Sequence, residues 1–276
     1  MCFNPITIRQ GKHDEATVPC SRCPECIGRR ISAWSFRLMK EDQVSSSAWF
    51  ITLTYANEYL QRTPNGFQNL SKRDLQLFFK RLRKLNKNKI KYYACGEYGS
   101  NTRRPHYHII LFNADVSTIE RAWSIQGKSI GTIHYGSVTG ASVGYTLKYL
   151  CKPKRHKLHE RDDRMFEFAL MSKSLGANYL TEAMRKWHEN DLENRMYCVL
   201  EGGQKISMPR YYKDKIYTEK MRQIVSEAQL QRIEREQHEE RVRYMDDEMY
   251  WRNKHEAVKA AYKKMYYQSS VGKQIV

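Results

Sequence analysis

The sequence predicts an α+β fold, a central antiparallel sheet with helices packed on one of its faces, followed by a charged helical extension at the C-terminus. Three observations carry that prediction. Two strand-like stretches, 90–97 and 106–112, are separated by the turn-rich basic segment Gly99-Ser100-Asn101-Thr102-Arg103-Arg104-Pro105, short enough to make them antiparallel neighbours. Between the first strand-like run and this pair, Leu75, Phe78, Phe79, Leu82 and Leu85 form an apolar stripe at helical spacing with Lys and Arg between them, the pattern of a helix lying on a sheet. Between Pro209 and Gly272 there is neither glycine nor proline, and Glu, Lys, Arg and Tyr abound, which predicts long helices with only a weak apolar stripe.

In chain order, Cys20-x-x-Cys23-x-x-Cys26 runs into a helix-like stretch reaching about Met39, with Ile31, Trp34 and Leu38 at helical spacing. A polar joint at Ser45–Ser47 leads into Trp49–Tyr55, whose β-branched and aromatic residues predict a buried strand that turns Phe50, Thr52 and Thr54 to one face. Ser71 and Asp74 make a capping pattern at the head of the amphipathic helix. After the paired strands come a helix at Ser117–Ile125, a strand at Ile130–Tyr135, and a helix at Ala141–Cys151 that Pro153 stops. Three regions follow from this order: 1–44 with the cysteine cluster and a helix, 45–209 with the sheet, and 210–276 as the helical extension.

The chain has 276 residues and carries 48 Lys and Arg against 30 Asp and Glu, a net charge of +18, so a polyanion is the first partner to infer, nucleic acid before others. A solvated basic surface is the plainer account of the same charge. No apolar run approaches the roughly 20 residues needed to cross a bilayer, and the N-terminus lacks the order of a signal peptide, so a cytoplasmic protein is expected. Seven cysteines, three of them clustered, suit reduced thiols better than a disulfide framework. A structural zinc needs four donors, and Cys2 with Cys20, Cys23 and Cys26 supplies them, His13 being the other candidate for the fourth place.

The sharpest local pattern is Arg104-Pro105-His106-Tyr107-His108. In a strand, residues two apart share a face, so His106 and His108 project together as a seat for a metal ion. Glu97 ends the preceding strand, and pairing across the turn brings its carboxylate toward the two imidazoles, a donor set open to Mg²⁺ or Mn²⁺. Tyr145 and Tyr149, at i and i+4 of a helix, share a face and offer two phenols as nucleophiles, although tyrosines at that spacing equally serve packing. Arg103 and Arg104 beside the metal strand are candidate phosphate clamps.

The ordered set Phe50-Ile51-Thr52-Leu53-Thr54, then Gly96-Glu97-Tyr98-Gly99 with Arg104-Pro105-His106-Tyr107-His108, then Tyr145-x-x-Lys148-Tyr149 resembles the three motifs of the HUH endonucleases that initiate rolling-circle replication. Within them it is similar to the initiators of microviruses, the small single-stranded DNA phages that include the gokushoviruses. The cysteine cluster and Met208-Pro209-Arg210-Tyr211-Tyr212-Lys213 also look like that group, so the likeness spans about residues 1–217.

The resemblance implies an RRM-like, ferredoxin-like sheet and a metal-assisted attack by Tyr145 or Tyr149 on single-stranded DNA at the phage replication origin, leaving a 5′-phosphotyrosine link and a free 3′-hydroxyl. It also implies that Thr52 and Thr54 place the DNA and support the metal strand, that Lys148 touches phosphate, and that the enzyme works in the host bacterial cytoplasm with a host polymerase. There is no Gly-x-x-x-x-Gly-Lys-Ser/Thr pattern, so unwinding is expected from a host helicase. Two other readings stand beside this one: a zinc-containing nucleic-acid-binding protein without catalysis, and a metal-dependent nuclease that uses water.

Overall fold

The computed structural model describes residues 2–9, 15–99, 101–151 and 160–271, with the backbone alone for 148–151 and 266–271. These residues group into two compact units, one made of Arg37–Ala177, the other of the residues up to Phe36 together with Asn178–Val271.

The chain begins with a short antiparallel hairpin, β1 (Ile6–Arg9) and β2 (Glu15–Val18), then enters helix α1 (Pro24–Asp42). The sheet unit follows with β3 (Ala48–Leu53), α2 (Lys72–Leu85), β4 (Lys91–Tyr98), β5 (Pro105–Phe112) and α3 (Val116–Ala122). It continues through the small hairpin β6 (Ser124–Ile125) and β7 (Lys128–Ser129) to β8 (Ile133–Ser137), α4 (Gly140–Cys151) and β9 (Phe168–Met171). The sheet has five antiparallel strands in the order β8-β3-β5-β4-β9. With the helices on it and a helical C-terminal region, this is the α+β architecture the sequence predicts.

One face of the sheet carries Ile51, Leu53, Ala94, Tyr107, Ile109 and Leu111, all buried, and α2 and α3 cover it with Leu75, Phe78, Phe79, Leu82, Ile119 and Ala122. Trp123 fills the seam, its ring against Phe78, Tyr55 and Tyr107. The N-terminus of α2 forms where the sequence places it: the Ser71 hydroxyl accepts the Asp74 amide at 3.1 Å and satisfies one of the free donors of the first turn. Tyr107 ties this cap to the sheet, its phenol donating to the Ser71 carbonyl at 2.9 Å.

The other face carries Phe50, Thr52, Cys95, Glu97, His106 and His108, as the registers Thr52↔His108, Cys95↔His108 and Glu97↔His106 require. Helix α4 lies on this face, its Tyr145 ring against Phe50 and His108. Helices therefore sit on both faces, where a single covered face is the simpler expectation. The central strand explains this: β5 is buried along almost its whole length, and a run such as Ile109-Ile110-Leu111-Phe112 needs apolar cover on both sides.

The second unit adds α5 (Glu182–Glu189), the hairpin β10 (Tyr197–Val199) and β11 (Lys205–Ser207), α6 (Arg210–Ile216), and the long helices α7 (Glu219–Arg243) and α8 (Glu248–Val271). Its core gathers Phe36, Cys198, Ile206, Met208, Tyr212, Ile216 and Tyr217. Buried inside it, His188 donates from Nδ1 to the Arg195 carbonyl at 2.6 Å and meets the Tyr179 hydroxyl at 2.8 Å, which satisfies both ring nitrogens. Among the described residues, no helix is long and apolar enough to cross a membrane.

Candidate metal centre and its neighbours

The hairpin of β4 and β5 builds the centre. Glu97 stands directly opposite His106, and His108, two residues along, projects to the same side. The two Nε2 atoms converge on a single oxygen, Glu97 Oε1, at 2.7 Å from His106 and 3.1 Å from His108. The three candidate ligand atoms all lie within 4.8 Å of one another.

The opposite ring nitrogens are held by protein oxygens: His106 Nδ1 lies 3.2 Å from the Arg104 carbonyl, and His108 Nδ1 lies 2.9 Å from the Thr52 hydroxyl. A carbonyl only accepts, so His106 carries its proton on Nδ1. Each imidazole is thus oriented with Nε2 inward, the arrangement in which an outer acceptor sets the tautomer of a metal-binding histidine. Phe50 stacks on the His108 ring at 5.7 Å with 12° between planes, and the Tyr145 ring meets it edge-on at 5.2 Å.

Glu97 is 3% exposed, and burial alone pushes its carboxyl up. The hydrogen bonds from His106 and His108, with the charge on those rings, more than offset the burial and hold it down at about 2. At neutral pH the site therefore presents one buried carboxylate flanked by two imidazoles, a donor set for a divalent cation with coordination positions left open.

The remaining residues singled out from the sequence fall around this centre unevenly. Thr54 lies on the same face as Thr52, its hydroxyl 2.5 Å from that of Thr132. Arg104 donates to the Tyr55 carbonyl at 2.5 Å, and Arg103 takes a positive φ of 54° in the turn. Lys148 and Tyr149 belong to α4, but their side chains lie outside the described residues. Sequence reasoning left out two members of the environment, Phe50 as the ring stacked on His108 and the Arg104 carbonyl as the acceptor for His106. Face alternation along β3 already points to Phe50, whereas a backbone carbonyl leaves no sequence signal.

The cysteine cluster forms a second candidate metal centre. Cys2 Sγ lies 3.5 Å from Cys20 Sγ and 3.8 Å from Cys23 Sγ, and Cys20 Sγ lies 4.0 Å from Cys26 Sγ. Four sulfurs about 2.3 Å from a tetrahedral zinc stand about 3.8 Å apart, so the observed spacing fits that ion. The amides of Arg22 and Cys23 point at Cys20 Sγ and draw its thiol down to about 6, while burial pushes Cys26 up to about 12. The Arg29 guanidinium donates to Cys26 Sγ at 3.6 Å. His13, the other candidate for the fourth place, lies outside the described residues.

Residues 48–154 match the family model of the replication-associated protein ORF2. The chain is 28% identical over 255 residues to the replication-associated protein VP4 of Bdellovibrio phage phiMH2K, covering 83% of this chain and 78% of that protein. It is 29% identical over 214 residues to the replication-associated protein ORF2 of Spiroplasma virus 4, covering 71% and 66%. To the replication-associated protein ORF4 of Chlamydia phage 1 it is 24% identical over 253 residues, covering 82% and 58%. No solved structure matches the chain. The family match contains Thr52, Glu97, His106, His108 and Tyr145, and with the likeness along most of the chain it places the protein among microvirus-like phage replication-associated proteins.

Proposed function

We propose that the protein initiates rolling-circle replication as an HUH-type, two-tyrosine endonuclease that nicks single-stranded origin DNA and later rejoins it. The observation that carries this reading is the convergence of His106 and His108 on Glu97 with the Tyr145 ring against His108. Mg²⁺ or Mn²⁺ held by Glu97, His106 and His108 neutralises charge on the scissile phosphate.

Tyr145 or Tyr149 supplies the attacking phenol. As the oxygen bonds to phosphorus the phenol gives up its proton, the bond to the 3′-oxygen breaks, and that oxygen takes up a proton to leave as a 3′-hydroxyl. One phosphate ester replaces another, so neither water nor external energy is consumed, and the 5′-phosphotyrosine link keeps the ester for rejoining. A second phenol four residues along α4, on the same helix face, suits the return attack after one circuit.

Thr52 fixes His108, while Thr54, Arg103, Arg104 and Lys148 line the approach of the DNA strand. A host polymerase extends the 3′-hydroxyl and a host helicase opens the duplex, in the host cytoplasm. The cysteine cluster holds a structural Zn²⁺ through Cys2, Cys20, Cys23 and Cys26.

The test incubates labelled single-stranded origin DNA with Mn²⁺ and wild type, Tyr145→Phe, Tyr149→Phe or the double variant, and resolves the products on a denaturing gel. A protein-linked band that needs metal, survives in at least one single variant and vanishes in the double variant is expected. Cleavage without a linked band would replace this reading with a hydrolase that uses water. DNA bound and left uncut under every metal would replace it with a binding module.

A further inference from the structure

The charge of the chain is concentrated on one helix and the turn after it. Residues 72–91 hold nine Lys and Arg and a single acid, Asp74, so 20 of the 276 residues supply 8 of the +18. Two of the nine have structural work: Arg81 donates to the Ala122 carbonyl at 2.7 Å, and Lys91 pairs with Glu41 at 2.7 Å.

The other seven are exposed and, among the described residues, no acidic side chain pairs with any of them. On α2 these are Lys72, Arg73, Lys80, Arg83 and Lys84, which at about 100° per residue fall within one arc of about 120°. Lys87 and Lys89 prolong the row past the end of the helix. Asp74 lies outside the arc, half-buried against the Tyr55 hydroxyl.

The placement of these cations is not what helix stability favours. Arg83 and Lys84 sit in the last turn, where the helix dipole welcomes positive charge, but Lys72 and Arg73 sit in the first turn, where it opposes them. The opposite side of α2 is packed on the sheet through Leu75, Phe78, Phe79 and Leu82, so the cationic arc faces away from the sheet and from Glu97, His106 and His108 on its other side. No aromatic side chain of the helix is exposed in the arc, and the Tyr92 ring beside it is stacked on Phe79 and lies under Arg83. The arc therefore matches phosphates and offers no platform for bases.

We propose that this face of α2, with the turn after it, is a second DNA-binding surface that holds the phosphate backbone of double-stranded DNA without reading sequence. The helix runs about 20 Å at 1.5 Å per residue, a rigid row of cations that spans several phosphates of a duplex strand. It gives the protein a grip on duplex away from the metal centre and does not depend on the chemistry proposed there.

The experiment measures binding of the full chain to a fluorescent duplex of mixed sequence, about 30 base pairs long, between about 50 and 200 mM salt. Wild type is compared with a variant carrying Arg73→Gln, Lys80→Gln, Lys84→Gln and Lys87→Gln. A second variant removes the same charge elsewhere through Lys220→Gln, Arg235→Gln, Arg252→Gln and Lys264→Gln. Each lost phosphate contact lowers the slope of log affinity against log salt by about 0.9, so the α2 variant is expected to lose about two to four from the slope and to bind at least about tenfold more weakly at low salt. Thermal melting of both variants confirms that they fold. An α2 variant that binds duplex like wild type overturns the proposal, as does an equal loss in the second variant, which would assign the effect to net charge. A loss confined to single-stranded DNA, with duplex binding intact, overturns it as well.

Discussion

Glu97 shows how much a single residue depends on its partners. Its carboxylate is buried and charged only because two imidazoles face it, and the balance of burial against those partners leaves its pKa at about 2. A carboxyl held below its ordinary value stabilises the fold above that value and loses the contribution as pH falls through the folded one. In metal-free protein, acidification from about pH 4.5 to about 2 is therefore expected to remove about 3 kcal/mol that Glu97 contributes, read by urea unfolding at stepped pH. Glu97→Gln should flatten that limb, and an unchanged limb would mean that the carboxylate is not coupled to the histidines.

At this scale much of the centre was legible. The i, i+2 spacing of His106 and His108 sets their common face, and a hairpin of the observed length sets Glu97 against them. The Thr52 hydroxyl beside His108 follows from the face that Thr52 shares with Phe50, but its 2.9 Å contact depends on the register of β3 against β5, which no local pattern specifies.

Among the elements, those with strong local codes formed where expected. The cap and apolar stripe of α2 are an example, since buried residues at i, i+3, i+4 and i+7 leave one arrangement against a sheet. Strand β9, four residues at a sheet edge, has no such code: Phe168-Ala169-Leu170-Met171 is as apolar as many loops and becomes a strand only because β4 offers it an open edge. Strand β8 begins later than the sequence suggests, at Ile133, because the residues before it cross over the end of β3.

Gly131 is the crossing point. The Ile130 carbonyl accepts from the Ala56 amide and the Thr132 carbonyl from the Thr54 amide, which leaves Gly131 against the Thr54 carbonyl, where a Cβ would fall well inside van der Waals contact. The Trp123 indole donates to that same oxygen at 3.0 Å, so it cannot retreat without breaking a buried hydrogen bond. Gly131→Ala is expected to cost about 2–3 kcal/mol in equilibrium unfolding and to displace the end of β3 that carries Thr54. A variant as stable as wild type would mean that this crossing relaxes freely.

On the scale of the whole molecule, the cysteine cluster closes the longest local loop in the N-terminal region, joining Cys2 to Cys26 around the hairpin of β1 and β2. That hairpin is largely exposed and buries little of its own surface, so its order rests on what ties down its ends. Four thiols brought to tetrahedral spacing repel as they ionise, which is visible in one thiol drawn down to about 6 beside another pushed up to about 12. A zinc ion removes the conflict by holding all four as thiolates, and its binding energy then becomes folding energy. Purified protein is therefore expected to carry a single zinc per chain at the cluster, and cobalt in its place should give the absorption of a tetrahedral four-sulfur site. Cys2→Ser should weaken retention and shift that spectrum toward three sulfurs, and chelation should make the segment before α1 exchange its amides rapidly while the sheet stays protected. If Cys2→Ser keeps both the metal and the four-sulfur spectrum, Cys2 is not a ligand, and its 3.5 Å approach to Cys20 is packing alone.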